Sequence, residues 1–196
     1  MKRTLLACLA LALLAAPALA QKDPAPPKRP IVVIKTSMGT IRAELYPDKA
    51  PKTVANFVQY VKAGFYAGTI WHRVIPAFMI QGGGLDASMK EKETREAIEN
   101  EAGNRLSNER GTLAMARTAD PDSATAQFFI NVKDNRFLDR RDNTDAGAGY
   151  AVFGKVIEGM DVVDKIVAAP TTTKGGMENV PKTAILIDSI TLETTK

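Results

Sequence analysis

The sequence predicts a mainly β domain of about eight strands with two helices, arranged as a sandwich or a barrel. Short runs of β-branched and aromatic residues recur along the chain, and Gly, Pro, Asn and Asp separate them. Only two segments carry apolar residues at the 3.6-residue spacing of a helix. No internal repeat divides the chain, and roughly 170 residues after the N-terminal segment suffice for one sizeable core.

Residues 1–20 have the pattern of a secretory signal peptide. A positively charged start precedes an apolar run over Leu5–Ala16, and the small residues Ala18–Ala20 form a cleavage site. The apolar run is too short for a membrane-spanning helix. We therefore expect cleavage after Ala20 and export to the periplasm. Because Cys8 is the sole cysteine, the mature chain has no thiol.

Residues 21–30 are rich in proline and poor in apolar side chains, which is typical of an extended linker before a domain at 31–196. Loss of two basic residues with the signal peptide lowers the formal net charge from +4 to +2. This balance gives little support for a nucleic-acid surface. No later apolar run reaches membrane-spanning length. We expect a monomer, with neither nucleic acid nor membrane as a partner.

The domain opens with two β-type runs in Ile31–Leu45, and the turn residues Thr36–Gly39 between them predict a hairpin. A helix is predicted over Ala50–Gly64, because Pro51 suits its first turn and the closing glycine can end it. The apolar stripe of this helix consists of Val54, Phe57, Val58 and Val61. A second amphipathic helix is predicted over Gly159–Pro170.

Further strands are predicted at Ile70–Ile75, Phe78–Gln81, Thr112–Ala116, Gln127–Val132, Tyr150–Val156 and Ala184–Leu192. Two charged segments between them, 85–110 and 139–149, are predicted to be long loops. Long loops in a compact domain often carry binding surfaces. A charged loop is equally typical of a plain solvated face.

The residue inventory excludes several kinds of chemistry. A single histidine and a mature chain without cysteine leave no His-rich metal site and no thiol nucleophile. A Ser/His/Asp triad would need His72 as its base, and no GxSxG nucleophile elbow accompanies it. The glycines in Gln81–Gly84 lack the Lys-Ser/Thr ending of a phosphate-binding loop. They predict a bulge or a close backbone approach at a strand end. We expect neither metal nor cofactor.

One arginine lies within a markedly apolar segment, WHRVIPAFMIQGGG, residues 71–84. Strand alternation predicts that Arg73 shares a face with Trp71 and Ile75, whereas His72 and Val74 face the other way. Removing the charge of an arginine from water into apolar surroundings costs free energy. We therefore expect it to have a partner or a function.

Apolar residues close to this arginine predict a pocket. Phe78 and Met79 precede the side-chain amide of Gln81, and strand alternation sends Phe128 and Phe129 to opposite faces. Apolar side chains beside a guanidinium suit a ligand that is apolar in body and accepts one hydrogen bond at its centre. A proline imide has this character.

Three segments resemble hallmark sequences of the cyclophilins, a family of peptidyl-prolyl cis/trans isomerases. They read WHRVIPAFMIQGG, GTLAMARTADPDSATAQFFI and VFGKVIEGMDVVDKI, and they occur in the order of the family. The resemblance extends from Ile31 to the C-terminus. It implies an eight-stranded antiparallel closed β-barrel capped by two α-helices. Together with the signal peptide, it implies an enzyme that rotates Xaa-Pro bonds in exported proline-containing polypeptides and assists their folding.

Position within these motifs implies roles for individual residues. Arg73 matches the catalytic arginine of the family, and Gln81 matches an amide that contacts the substrate and orients that arginine. The implied pocket for the proline ring consists of Phe78, Met79, Phe129 and Leu138. Further residues implied to border the substrate are His72, Ala116, Arg117, Gln127, Phe137 and Tyr150. Ala116 and Arg117 would act through their backbone.

Some of these residues also have plain structural interpretations. His72 is typical of a structural or edge histidine, and we do not expect it to be a general base. The side chain of Arg117 is expected to be solvated, and Phe137 and Tyr150 also suit packing at the rim of the site. Without a matching motif role, Phe128 is expected in the core.

Two positions depart from the pattern of many eukaryotic cyclophilins. Phe137 stands where they have a tryptophan, and Tyr150 falls where they often have a histidine. The indole N–H that would hydrogen-bond the drug cyclosporin is therefore missing. We expect weak cyclosporin binding with catalysis retained.

A second function from another class stays open on the sequence alone. The same groove would serve a proline-directed binding module or a periplasmic holdase chaperone that needs no turnover. The presence of both Arg73 and Gln81 favours the enzyme, because a binding protein could lose either residue.

Overall fold

The structure is a computed structural model that describes residues 29–193. The predicted signal peptide and residues 21–28 of the predicted linker lie outside the described residues. The last two linker residues contact the domain. Arg29 pairs with Glu44 and Asp48, and the carbonyl of Pro30 accepts a 2.8 Å hydrogen bond from the N–H of Leu45.

All predicted strands and both predicted helices are present, with ends that differ from the predicted ones. The helices are α1, Pro51–Lys62, and α2, Met160–Val167. The strands are β1 Ile31–Thr36, β2 Gly39–Leu45, β3 Thr69–Ile75, β4 Met79–Asp86, β5 Thr112–Met115, β6 Phe128–Asn131, β7 Val152–Glu158, β8 Thr171–Lys174, β9 Met177–Pro181 and β10 Leu186–Leu192.

Eight strands close into an antiparallel barrel in the order β1–β10–β3–β4–β6–β5–β7–β2, and β2 pairs back with β1. The predicted closed barrel is confirmed, and the alternative of a sandwich is wrong. Helix α1 packs against β10, and α2 packs against β2, β3 and β4. In the part of the chain that the structure describes, no helix has the length and apolarity to span a membrane.

The main core combines the barrel interior with the apolar faces of both helices. The ring centroid of Phe57 on α1 lies 5.3 and 5.1 Å from those of Phe128 and Phe153. A second, smaller cluster consists of Met79, Ala114, Phe129 and Val152. Phe128 thus belongs to the main core and Phe129 to the second cluster, as strand alternation predicts.

A bulge in β3 corrects one prediction of side-chain direction. Trp71 pairs with Gly82 and Arg73 pairs with Gln81, so His72 is an extra residue on this strand. As a result Trp71 lies in the main core, whereas Arg73 lines a cavity beside the second cluster. The prediction that Trp71 and Arg73 share a face is wrong, because it assumes an unbroken period of two.

The glycine run of β4 lies inside the strand. Gly83 has a φ of +83°, and the pairing with β3 shifts on both sides of Gly82. A Cβ at Gly82 would lie 2.8 Å from the carbonyl oxygen of Ile70, and one at Gly84 would collide with Cγ of Gln127. The predicted bulge and close approach are confirmed. The predicted strand end is wrong, because β4 continues past all three glycines.

The hairpin formed by β8 and β9 is absent from the sequence prediction. Its strands are mostly exposed and polar, so they lack apolar alternation. Gly175 and Gly176 join them with φ values of +59° and +79°. Positive φ at both central residues is typical of a two-residue hairpin turn. This Gly-Gly pair is the signal that could have indicated the hairpin.

The loop at 85–110 caps helix α1. The residue before the helix, Ala50, offers no side-chain cap. Instead the carboxylate of Glu101 accepts hydrogen bonds of 2.7 and 2.6 Å from the N–H and hydroxyl of Thr53, and one of 3.1 Å from the N–H of Lys52. A distant acid therefore satisfies N–H groups that a helix start leaves unpaired.

Candidate active site

Most of the predicted site residues line one cavity of about 120 Å³. The lining consists of Arg73, Phe78, Met79, Gln81, Ala116, Arg117, Phe129, Leu138 and Tyr150. We call this the ring cavity. Its volume is that of roughly four water molecules in the liquid, which suits one small ring.

The floor of the ring cavity is apolar. Met79 and Phe129 are buried members of the second cluster, and Phe78, Leu138 and Tyr150 pack against it. Phe129 meets Tyr150 edge-on, with 5.8 Å between ring centroids. Because these side chains support one another, the cavity exists before any ligand enters.

Arg73 brings a guanidinium to the edge of the ring cavity. Its Cζ lies 5.8 Å from the centroid of the Phe78 ring, and the side chain is half-buried. Within residues 29–193 this guanidinium has no hydrogen bond and no ion pair. Its N–H donors are therefore available.

Gln81 lies opposite Arg73 on the neighbouring strand. Its Nε2 donates a 2.9 Å hydrogen bond to Oε1 of Gln127, and no hydrogen bond joins it to Arg73 among the described residues. Gln127 lies outside the ring cavity and borders the two adjoining ones. Among residues 29–193, no hydrogen bond therefore supports the implied orientation of Arg73 by Gln81.

The side chain of Arg117 is partly exposed and also makes hydrogen bonds that the sequence did not predict. Its guanidinium donates to the carbonyls of Gly149, Thr118 and Asp145 at 2.9, 2.9 and 3.2 Å. The same group lies 4.6 Å from the ring centroid of Tyr150. Arg117 therefore fastens the 139–149 loop beside the ring cavity.

The backbone next to Arg117 offers free hydrogen-bonding groups. The N–H of Ala116 donates to the carbonyl of Gln127 at 3.0 Å. Among residues 29–193, no hydrogen bond uses the carbonyl of Ala116 or the N–H of Arg117. An extended peptide could pair with both groups, as the resemblance implies.

Phe137 does not line the ring cavity. It is 67% exposed, and its ring stacks on Phe78 with 5.6 Å between centroids. The structure therefore places Phe137 at the rim, on the outer side of a cavity wall. An aromatic side chain this exposed is available to a bound ligand.

His72 is buried next to Arg73 and lines a neighbouring cavity. Burial, with a smaller contribution from the charge of Arg73, lowers its pKa from the usual 6.5 to about 4, against an opposing hydrogen bond with the backbone of Ile70. The imidazole is therefore neutral at neutral pH and has little tendency to take up a proton, which agrees with the expectation that it is not a general base.

A buried asparagine network behind the ring cavity is absent from the sequence prediction. Asn131 donates to Oδ1 of Asn108 at 3.1 Å and to the hydroxyl of Thr112 at 2.9 Å. Asn135 donates to Oδ1 of Asn131 and to the carbonyl of Phe78, both at 2.7 Å. Asparagine is common in solvated loops, so composition gave no sign that these side chains are buried.

Two further cavities adjoin the ring cavity. One of about 580 Å³ shares Arg73 and Gln81 with it, and another of about 200 Å³ shares Gln81, Ala116 and Arg117. A peptide segment centred on the ring cavity therefore has room for the residues that flank the central one.

Comparison with known proteins agrees with this geometry. The chain matches the family model described as cyclophilin type peptidyl-prolyl cis-trans isomerase/CLD over residues 31–192. A peptidyl-prolyl cis-trans isomerase of Acinetobacter baylyi is 61% identical over 163 residues, which cover 83% of this chain and 85% of the relative. Peptidyl-prolyl cis-trans isomerase B of Escherichia coli is 54% identical over 162 residues, covering 83% and 99%.

Solved structures show the same fold. The crystal structure of a Cryptosporidium parvum cyclophilin type peptidyl-prolyl cis-trans isomerase superimposes with a TM-score of 0.71 at 26% identity, covering 86% of this chain and 100% of that one. The structure of that protein in the presence of the dipeptide Ala-Pro gives a TM-score of 0.69. The chain belongs to the family of cyclophilin-type peptidyl-prolyl cis-trans isomerases and is an enzyme of that class.

Proposed function

We propose that Arg73 is the catalytic group of this isomerase and meets the imide nitrogen of a proline held in the ring cavity. The supporting observation is the contrast between two guanidinium groups at that cavity. Arg117 donates to several backbone carbonyls, whereas Arg73 has no hydrogen-bond partner within residues 29–193. Arg73 is therefore the group that can donate to a substrate.

Catalysis of this rotation requires stabilisation of the imide nitrogen in the transition state. Rotation about an Xaa-Pro bond faces a barrier of about 18–20 kcal/mol, because the amide resonance is lost when the bond twists. The nitrogen lone pair is a poor acceptor in the planar ground state and becomes a good one in the twisted state. A guanidinium aimed at this nitrogen thus binds the transition state more strongly than the substrate, which is the requirement for catalysis.

One hydrogen bond does not supply the whole effect. An acceleration of ~10⁶-fold requires lowering the barrier by roughly 8 kcal/mol. A hydrogen bond from a charged donor contributes about 1.5–3 kcal/mol. The remainder has to come from holding the proline ring against Met79 and Phe129 and from fixing the neighbouring peptide on the backbone of Ala116 and Arg117.

The shape of the site supports a particular substrate class. The ring cavity accepts one small apolar ring, and the adjoining cavities leave room for an extended chain on either side. The Cryptosporidium parvum relative has been crystallised in the presence of the dipeptide Ala-Pro. We assign Xaa-Pro segments of unfolded or partly folded polypeptides as the substrate.

The N-terminal sequence supports exported proteins as the clients. Residues 1–20 combine a basic start, an apolar run and a small-residue cleavage site. We propose that the protein acts in the periplasm after cleavage behind Ala20. Fractionation of a Gram-negative host that expresses the full chain should recover it in the periplasm with Gln21 as its first residue. Recovery of the full-length mass in the cytoplasm would contradict this location.

The role of Arg73 is tested by measuring exchange of a short Xaa-Pro peptide by NMR, without a coupled protease. Arg73→Ala should lower kcat/KM roughly 10- to 100-fold, the equivalent of one charged hydrogen bond. Arg73→Lys should recover only part of the loss, because lysine lacks the planar fork. Arg95→Ala, at an exposed arginine outside the cavities, is the matched control. Near-native activity of a folded Arg73→Ala variant would disprove the assignment.

A further inference from the structure

The cavity of about 580 Å³ next to the ring cavity has two walls. One wall is the end of β4 and the loop after it, and the other is the tip of the β8–β9 hairpin. The sequence did not predict that these two segments line the same cavity. The residues that define what we call the hairpin cavity are Leu85, Met89, Glu91, Met177, Glu178 and Asn179.

The hairpin wall is fixed relative to the catalytic strand. Strand β9 packs against β3, which carries Arg73, and Val180 is buried behind the tip. Thr172 pairs with Val180, and Lys174 pairs with Met177 across the turn. The distance between the hairpin tip and the ring cavity is therefore set by packing, so this wall can act on a bound substrate.

Two carboxylates border the hairpin cavity, one on each wall. Glu91 and Glu178 are exposed, and neither has an ion pair or a hydrogen bond within residues 29–193. The ammonium of Lys92, which follows Glu91 in the sequence, donates to the carbonyl of Phe65. Arg73 lines both the hairpin cavity and the ring cavity, and its Cζ lies 5.8 Å from the ring centroid of Phe78. Apart from Arg73, the charged residues that line the hairpin cavity are both acidic.

The same cavity also has an apolar surface. Met177 is 44% exposed, one of the few large apolar side chains left open to solvent in the described chain. Leu85 and Met89 line the cavity beside it. A surface that combines methionine side chains with carboxylates complements a side chain with an apolar stem and a cationic head. Lysine and arginine are the two residues of this kind.

We propose that the hairpin cavity is a specificity subsite that takes a lysine or arginine side chain lying within about three residues of the substrate proline. The aliphatic stem lies on Met177, and the cationic head lies between Glu91 and Glu178. This rests on the proposed function, because it assumes that the proline occupies the ring cavity. The subsite makes the enzyme favour basic Xaa-Pro segments over acidic ones.

The test uses a series of proline peptides that carry Lys, Gln or Glu at each of the three positions before and after the proline. The purified protein should show a kcat/KM about three- to tenfold higher for Lys than for Glu at one or more positions, as expected for a pair of exposed charges. High salt should reduce the preference, because exposed charges are screened. A Lys-to-Glu ratio within twofold at all positions would overturn the proposal.

Charge reversal identifies the residues responsible. Glu178→Lys should abolish or invert the Lys preference. Glu96→Lys makes the same charge change at an exposed glutamate outside the cavity, and it should keep the preference. A preference that survives in the Glu91→Lys, Glu178→Lys double variant would also overturn the proposal.

Binding is measured in parallel, so that the results can disprove this proposal independently of the proposed function. Titration calorimetry with the same peptides gives a Lys-to-Glu affinity ratio that does not depend on turnover. Loss of turnover for the Gln peptide would count against the isomerase mechanism. A missing affinity ratio, with normal turnover of that peptide, would count against the subsite alone.

Discussion

Asn135 donates a 2.7 Å hydrogen bond from its side-chain amide to the backbone carbonyl of Phe78. Its own backbone carbonyl accepts a 2.8 Å hydrogen bond from the N–H of Leu138. One buried asparagine thus connects two walls of the ring cavity that are 60 positions apart in the sequence. We therefore expect the width of the cavity to depend on Asn135.

Replacing Asn135 by alanine should therefore affect binding as well as stability. The variant leaves Oδ1 of Asn131 without a donor, whereas the carbonyl of Phe78 keeps its hydrogen bond from the N–H of Val132. A buried acceptor left without a donor costs about 1–3 kcal/mol. We expect the free energy of unfolding to fall by this amount and KM for an Xaa-Pro peptide to rise severalfold, with a smaller change in kcat. Urea unfolding and NMR exchange measure the two effects.

The control for this experiment is Asn143→Ala, at an exposed asparagine in the 139–149 loop. It should leave both quantities unchanged. If Asn135→Ala keeps the KM of the native protein under conditions where it is fully folded, Asn135 has a purely structural role.

The carboxylate of Glu101 provides a second stability test. Because it accepts three hydrogen bonds at the start of α1, Glu101→Ala should lower the free energy of unfolding by about 1–2 kcal/mol, the usual cost of a lost cap. Glu99→Ala is the matched control in the same loop, since Glu99 only pairs with the exposed Lys52 and exposed pairs contribute little. Equal effects of the two substitutions in urea unfolding would contradict the capping role.

His72 predicts a pH dependence of stability. Its pKa in the folded protein is about 4, whereas an unfolded histidine titrates near 6.5. Between these values the unfolded chain binds the extra proton, so stability falls as the pH decreases from about 6.5 towards 4. The full difference corresponds to about 3 kcal/mol. Above pH 7 this group contributes no slope.

Urea unfolding of the native protein and of His72→Gln between pH 5 and 7.5 measures this effect. Most carboxylates titrate below this range, so they interfere little. The native protein should lose stability towards pH 5, and the variant should lose less. Identical slopes for the two proteins would show that His72 is not the group responsible.

Phe137 predicts the response to cyclosporin. The side chain is exposed at the rim of the ring cavity and carries no N–H. We expect weak inhibition of the native protein. Phe137→Trp should strengthen inhibition up to about tenfold, the equivalent of one added hydrogen bond. Phe137→Leu controls for the change in shape. Tight inhibition of the native protein in a titration would contradict this prediction.

The fold was largely predictable because its strands follow simple patterns. Alternation in Phe128–Val132 separates the core from the site, and the two helices carry clear apolar stripes. The sequence pattern alone did not distinguish a sandwich from a barrel, because strand pairing joins segments that are distant in sequence, such as β1 and β10. The resemblance to a family was needed to choose between them.

Prediction from the sequence was wrong or incomplete where strand alternation is interrupted, where a strand is not buried, and where contacts join distant segments. The extra residue at His72 shifts the alternation of β3, and no residue type signals a bulge there. The β8–β9 hairpin is too polar for a pattern based on burial. The pairing of Gln81 with Gln127 and the contacts of Arg117 depend on chain segments that the fold brings together. Residue identities at the ring cavity were predictable from motifs, and their partners were not.

Closure of the barrel also matters if the substrates are unfolded chains, as we propose. An open sheet edge pairs readily with an extended segment and can lead to aggregation. Each of the eight barrel strands has a neighbour on both sides, and only the short β8–β9 hairpin keeps edges in the described chain. The barrel strands therefore offer no open edge with which an extended chain could pair. We expect this closure to keep the protein from pairing edge to edge with the unfolded chains that we propose as its substrates.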